Sequence, residues 1–464
     1  MSIKSRLFIA LFLSITSFNH IFSIADWTIL IYVQAKNNLS RFATQNLYSM
    51  AKIGSNNNLN ILVQWYQPGK DGVWRYQILK DEIKLDTYLP INSDGTNVKD
   101  LVDSMEWAVN KYPAKNNFLI LWNHGVGIID PIWHRRSGFG LGYGLGLSGQ
   151  EFNEVVINNQ NIVENQVINS NDQEQFFPIK IDDELTQAFN NSQDFDYLTL
   201  NQHRGILFNE QSRSYLNNEE LLEALKQIKE NVLKGKQLDI FGMDACLMSM
   251  IEIGYLARGY AKYMVSSQEV ELAYGWNYLD LFTAISSGTT TPIDMAKGCV
   301  LTYHNFYQNK IDFYTQSAVD LDQLDNVKTS INNIILKINE AKKISLSQVK
   351  NFIKYARRAS TQFTNKSYID LYSFYFELIK QVDGNLCLTS NQLFKNSLLN
   401  LKSELLIGMK SIENAVVAKT SGKKFANTCG LSIYFPTGSV EQSYLQTSFV
   451  KDSLWLDLIK DAFV

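Results

Sequence analysis

The sequence predicts an α/β fold: a mostly parallel central sheet with helices on both faces, followed by a mainly helical C-terminal region. Short apolar runs rich in β-branched and aromatic residues recur at 27–33, 60–65, 117–122, 238–243 and 263–267. Their apolarity is continuous rather than alternating, as in strands buried on both faces. Helical patterns separate them, which is the strand–helix–strand rhythm of a parallel sheet.

Taken in order, residues 1–25 read as a secretory signal peptide. Lys4 and Arg6 form a positive start, 7–15 is mostly apolar, and Ser23-Ile24-Ala25 resembles a small-x-small cleavage site. The run is too short to span a bilayer, and no later stretch reaches spanning length without charges. The expectation is an exported protein, periplasmic or secreted, with no membrane anchor in the mature chain of about 439 residues. The full chain of 464 residues carries 43 basic against 46 acidic side chains, a formal charge of −3. That balance offers no general basic surface, so no nucleic-acid partner is expected. Four cysteines in such a length exclude a disulfide scaffold.

Residues 26–320 carry the strand-rich pattern and 321–464 the mainly helical one. Helices are expected at 98–112 and 219–234, the latter with Leu222, Leu225, Ile228 and Val232 on one face, Asn218 as its cap and Gly235 as its stop. A third is expected at 345–361, and a strand-like run at 431–435. Residues 138–149 alternate glycine with Leu, Phe and Tyr, and 150–200 hold ten acidic residues against Lys180 alone. Residues 135–200 thus read as an insertion on the surface. Within it, Gly144, Gly146 and Gly149 fit G-x-G-x-x-G, but an acidic polar tract follows where a dinucleotide site needs an amphipathic helix.

Two motifs stand at expected strand ends. The run 117–122 leads into Asn123-His124-Gly125, and the run 238–243 leads into Asp244-Ala245-Cys246. Parallel sheets gather ligand-handling groups at the carboxyl ends of their strands. An imidazole and a thiol are therefore expected on one rim. A helix is expected to begin at or just after Cys246 and to favour its thiolate. His124 can protonate a leaving amine and then activate water. The backbone N–H groups of Gly125 and Cys246 suit an oxyanion hole, and Gly125, lacking a Cβ, lets a substrate approach. Asp244, two residues before Cys246 on an extended strand, points to the same side and suits a basic substrate side chain. Cys299, Cys387 and Cys429 read as bystanders, or as holding one bridged pair. His134, His203 and His304 lack a strand-end context, and His20 lies in the signal peptide.

At these residues the sequence resembles the clostripain family of cysteine peptidases, in the clan of caspases, legumain, gingipains and separase. The likeness spans most of the mature chain. It includes the strand at Trp27 to Tyr32 followed by Asn37-Asn38-Leu39, then Trp122-Asn123-His124-Gly125 and Asp244-Ala245-Cys246-Leu247-Met248. It continues through Gly205-Ile206 with Tyr215-Leu216, Gln268-Glu269 with Gly275-Trp276, and Gly430 to Pro436. The resemblance implies a caspase-like α/β/α fold, endopeptidase activity, a His124–Cys246 dyad, and Asp244 in a pocket selecting Arg or Lys. Glu269 and Glu271 are further pocket candidates. It also implies a zymogen that cleaves itself between the two catalytic strands. Arg136 is the first choice of cleavage site, beside Arg135, with Lys180 and Arg204 as rivals.

The chemistry requires no cofactor. The resemblance allows calcium dependence, but no calcium ligands are assignable, since the acidic tract lacks regular ligand spacing. The expected partners are protein or peptide substrates, and the expected state is a monomer. Two departures stand out: the long His124–Cys246 separation, and Val126 where the family often has glycine. A catalytically silent binding or adhesion protein on a peptidase fold is the alternative, and transpeptidation by the same acyl-enzyme is a variant of the first reading.

Overall fold

In the computed structural model, which describes residues 24–129, 206–286 and 290–463, the five apolar runs lie side by side in one sheet. The strands are β1 (Ala25–Gln34), β2 (Leu59–Tyr66), β3 (Val73–Leu79), β4 (Glu82–Leu89), β5 (Ala114–Trp122), β6 (Ile206–Asn209) and β7 (Ser214–Leu216). They continue with β8 (Leu238–Asp244), β9 (Ala261–Ser266), β10 (Thr315–Asp320), β11 (Tyr368–Asp370), β12 (Val416–Ser421) and β13 (Ser432–Tyr434). Nine of them make the main sheet, in the order β12-β10-β9-β8-β5-β1-β2-β3-β4. The central five are mutually parallel.

Every residue of β1 and β8 is buried. Leu30, Tyr32, Leu119, Leu121, Phe241 and Met243 enter one core, while Ile29, Ile31, Phe118, Ile120 and Ile240 enter the other. Successive side chains of a strand face opposite sides, so a continuous apolar run feeds both cores. Each such side chain contributes about 1.5–3 kcal/mol. The helices Val98–Lys111 and Asn218–Gln227 cover the first face. Ser40–Ala51, Tyr278–Ser286 and Pro292–Tyr307 cover the second. The expected α/β/α sandwich is present.

Local signals behave as their chemistry dictates, with small shifts. The helix expected at 219–234 is capped by Asn217, one residue before Asn218, through a capping box with Glu220. It runs on into a wide turn at Ile228–Val232 and stops at Gly235, whose φ is +88°. The helix expected at 345–361 spans Leu346–Ala359. The sheet also has antiparallel edges that the sequence reading lacks: β3 and β4 on one side, β10 and β12 on the other.

The helices Leu324–Ile344, Leu346–Ala359, Leu371–Leu388 and Gln392–Ala415 make up most of the C-terminal region, as expected. That region also supplies β12 to the edge of the main sheet, and β13 pairs with β11. From β13, the Ser432 N–H donates to the Ser249 carbonyl at 2.9 Å, three residues past Cys246. The Tyr434 N–H and Tyr444 hydroxyl donate to Glu252, whose carboxyl burial pushes up to about 7. No helix among the described residues is long and apolar enough to cross a membrane.

Candidate active site

β5 and β8 are parallel neighbours, and their last paired residues are Trp122 and Asp244. His124 and Cys246 each follow that pair by two residues, so both stand on the rim formed by the carboxyl ends of the strands. Beyond the last pair the ends stay close. The Asn123 N–H donates to the Asp244 carbonyl at 3.3 Å. A Cβ on Gly125 would lie 2.6 Å from the Cys246 carbonyl oxygen, so only glycine fits without displacing backbone.

His124 is held from two sides. The side-chain oxygen of Asn123 accepts from its backbone N–H at 2.5 Å and from the Phe208 N–H at 2.9 Å. The same amide donates to the carbonyls of Gln34 and Phe208, which ties β1, β5 and β6 together. The ring Nε2 lies 2.7 Å from the Asn38 side-chain oxygen. An amide oxygen only accepts, so Nε2 carries the hydrogen, and in the neutral ring Nδ1 is the basic nitrogen. Asn38 entered the sequence reading only within the Asn37-Asn38-Leu39 likeness. Its signal was available: an amide in the turn after the first parallel strand, on the same rim.

Cys246 is placed by a strained turn rather than by a helix. Leu247, directly after it, has φ +64°, a region non-glycine residues seldom adopt. The Leu247 N–H donates to the Glu269 carbonyl at 3.1 Å and the Ser249 N–H to the Ser267 carbonyl at 2.8 Å. These bonds keep the chain out of helical geometry until Ile251–Ala257. The helix expected to begin at or just after Cys246 therefore starts five residues later, too far along for its dipole to act on the sulfur. The sulfur meets the loop after β9 instead, where the Glu271 N–H donates to the Cys246 Sγ at 3.3 Å. The thiol in turn donates to the Glu271 carbonyl at 3.6 Å, so one residue of the loop holds the sulfur from both sides.

Asp244 lies behind this turn, only 4% exposed. Its Oδ2 accepts from the Trp276 N–H at 3.1 Å and the Tyr278 hydroxyl at 2.8 Å. Gly275, at φ +63°, packs its backbone so close that a Cβ there would sit 2.6 Å from both carboxylate oxygens. Glu271 stands close enough to Asp244 for the two carboxyl groups to act on each other electrostatically. Burial raises both groups above the ordinary carboxylate range, and the neighbouring Asp244 charge raises Glu271 further. Glu269 is engaged differently, accepting from the backbone N–H groups of Val270 and Thr364.

Cys299 and Cys429 are buried and Cys387 is exposed; all four cysteines are free thiols, so none is bridged. Burial pushes Cys429 up to about 11 and Cys299 higher still, which suits bystanders. His304 lies 2.8 Å from the Tyr314 hydroxyl and 2.7 Å from that of Thr420. Arg135, Arg136, Lys180 and Arg204 lie outside the described residues, as do His134, His203 and the three insertion glycines. Among the described residues no group of three or more His, Cys, Asp or Glu side chains could hold a metal ion. No calcium ligands are assigned there.

The class this architecture defines is a caspase-like cysteine peptidase, and the comparisons place it within that class. The chain belongs to the clostripain family, whose model matches residues 31–139 and 189–461. Among solved structures it is similar to a secreted C11 cysteine protease from Bacteroides thetaiotaomicron in complex with an irreversible peptide inhibitor. The identity is 15% and the TM-score 0.56, over 93% of this chain and 99% of that one. It is also similar to an inactive zymogen C11 protease from Parabacteroides distasonis, at 17% identity and TM-score 0.53, covering 92% and 98% of the two chains. A secreted C11 protease from B. thetaiotaomicron called iotapain matches at 12% identity and TM-score 0.57, covering 92% and 99%. No curated protein matches the chain.

Proposed function

We propose that this cysteine peptidase is an exported endopeptidase that cuts after Arg or Lys. The Cys246 thiolate attacks the scissile carbonyl while the N–H groups of Gly125 and Cys246 hold the developing oxyanion. His124 gives a proton to the leaving amine, then takes one from the water that hydrolyses the thioester. Asn38 orients the imidazole. Asp244 and Glu271 receive the basic side chain, and Glu269 holds the loop that carries Glu271. The observation that carries the reading is a buried pair of carboxyl groups joined directly to the nucleophile turn, with Glu271 close to Asp244 and its N–H bonded to Cys246. Such a pair suits a cation.

Export rests on residues 1–25, and self-cleavage in the insertion, first at Arg136, rests on the resemblance together with the zymogen among the similar structures. Mass spectrometry of the purified mature protein fixes both termini and any internal cut.

The test of specificity is steady-state cleavage of fluorogenic peptides ending in Arg, Lys, Asp or Leu, with Cys246 labelled by an Arg-based acyloxymethyl ketone. Basic peptides are expected to be preferred by about 10³-fold or more, on the scale of a site built around buried polar groups. Equal rates on acidic and basic peptides sink the specificity. Failure to label, before or after trypsin treatment, favours a silent binding protein. Asn38→Ala is expected to lower kcat about tenfold to a hundredfold with KM nearly unchanged, because the ring loses its orientation. Asn38→Asp keeps the acceptor oxygen and should recover most of the rate; equal losses in both variants reject the orienting role.

A further inference from the structure

The strands β11 and β13 of the C-terminal region carry no reacting group, yet they touch the segments that bear His124, Cys246 and the pocket carboxyls. β13 lies within the run Gly430 to Pro436, which takes no part in the chemistry above. On the nucleophile side, the Ser432 N–H and Oγ both donate to the Ser249 carbonyl at 2.9 Å. The Ser249 hydroxyl donates back to the Gly430 carbonyl at 2.8 Å. On the side of the Glu269–Glu271 loop, Gln268 donates to Asp370 of β11 and accepts from the Gly430 N–H, both at 3.0 Å. On the histidine side the contact is a single side chain, Tyr368, the first residue of β11.

Tyr368 is 0% exposed. Its hydroxyl donates to the Val126 carbonyl at 2.6 Å and accepts from the Ile129 N–H at 3.2 Å. These two residues begin and end the turn that follows His124-Gly125, and a four-residue turn often joins those two groups directly. Here the phenol oxygen stands between them. Val126 and Ile129 are themselves buried, so water is a poor substitute partner. The turn is moulded on the ring: Gly127 has φ +74°, and a Cβ there would lie 2.8 Å from Tyr368 Cε2. The ring in turn rests edge-on against Tyr434, its register partner in β13, with 6.2 Å between centroids. His124-Gly125 is therefore tied at both ends, by the Asn123 amide before it and the Tyr368 hydroxyl after it.

We propose that Tyr368 is a positioning residue of the peptidase, whose hydroxyl holds the turn Val126–Ile129 so that the His124 imidazole and the Gly125 N–H meet Cys246 correctly. Ser432 holds the nucleophile turn from the neighbouring strand, so the pair β11–β13 sets both halves of the dyad from one piece of backbone. The inference rests on the Cys246–His124 chemistry proposed above and is independent of the preference for Arg or Lys. Tyr368 acts through the chain. Without its oxygen, the Val126 carbonyl and the Ile129 N–H stay paired only by closing on each other. That closure draws in the turn and the His124-Gly125 backbone that leads into it.

The experiment compares the active wild-type protein with Tyr368→Phe, which keeps the ring against Tyr434 and Gly127 and removes only the oxygen. Turnover of an Arg fluorogenic peptide is measured well below each unfolding midpoint, and active sites are counted by exhaustive labelling with the Arg-based acyloxymethyl ketone. Labelling counts only folded sites, so a lowered yield does not blur the comparison. Per labelled site, kcat is expected to fall about tenfold to a hundredfold with KM within about threefold, the pattern of a displaced reacting group. Leu398→Ala, a core truncation in the helix Gln392–Ala415, controls for stability. It should lower the unfolding midpoint at least as far as Tyr368→Phe and leave kcat per site unchanged. A Tyr368→Phe kcat within about threefold of wild type, or a rise in KM alone, overturns the positioning role and leaves the peptidase reading standing. An equal kcat loss in Leu398→Ala also overturns it, since lost stability then accounts for both. Wild-type protein that neither turns over nor takes the label sinks the peptidase reading, and the role of Tyr368 with it.

Discussion

Replacing Cys246 with alanine is expected to lower kcat by about 10⁴–10⁶-fold, the scale of losing a nucleophile from a hydrolase. Folding should survive. The sulfur is partly exposed, and its contacts with Glu271 are long: it accepts from that residue's N–H at 3.3 Å and donates to its carbonyl at 3.6 Å. The turn itself is fixed by backbone, through the Leu247 and Ser249 N–H groups. Thermal unfolding should therefore move by a few degrees at most, the response to about 1 kcal/mol in a chain of this size. If self-cleavage activates the chain, the variant should also run as one uncut polypeptide while the wild type runs as two. Three measurements check this: turnover of Arg and Lys peptides, the unfolding midpoint and the intact mass. Turnover within tenfold of wild type removes Cys246 from the chemistry, whatever the other two show.

The parts of this site that the sequence makes legible are those fixed by strand chemistry. Buried parallel strands need continuous apolar runs, so β5 and β8 could be read, and with them the shared rim of His124 and Cys246. Asp244 was also readable, because two residues along a strand return to the same face. What the sequence hid depends on contacts between distant segments. The bond from Asn38 to His124 joins residues 86 positions apart, and no periodicity announces it. Gln316 lies on β10, a short strand with little apolar patterning, and reaches Glu271 only because β10 pairs with β9. The helix expected at Cys246 failed for the same kind of reason. Local propensity favoured it, but the Glu269 and Ser267 carbonyls, brought in by the next loop, claimed the N–H groups of the turn. Glu269 and Glu271 looked alike in sequence as charged loop residues. The fold separates them, one bonded to the Thr364 backbone and the other to Cys246 and Gln316.

Gly125→Ala is the substitution that tests whether the two strand ends must touch. The added Cβ would lie 2.6 Å from the Cys246 carbonyl oxygen and 3.0 Å from Cγ and Sδ of Met248. The Met248 side chain can swing aside, but the carbonyl belongs to backbone held by β8 between β5 and β9. The chain at His124 and Gly125 must therefore move, taking with it the imidazole and one oxyanion donor. A misplaced donor alone costs about 10²–10³-fold in kcat, and the overpacking costs about 1–3 kcal/mol of stability. The expected result is a folded protein with kcat reduced by at least a hundredfold and an unfolding midpoint lowered by several degrees. Gly298→Ala is the matched control, since a Cβ there meets nothing within 4 Å inside the helix Pro292–Tyr307. Alanine should stabilise that helix by roughly 0.5–1 kcal/mol and leave turnover alone. If Gly125→Ala behaves like Gly298→Ala, the Cys246 and His124 segments are not in the contact described above, and Gly125 cannot be the oxyanion donor.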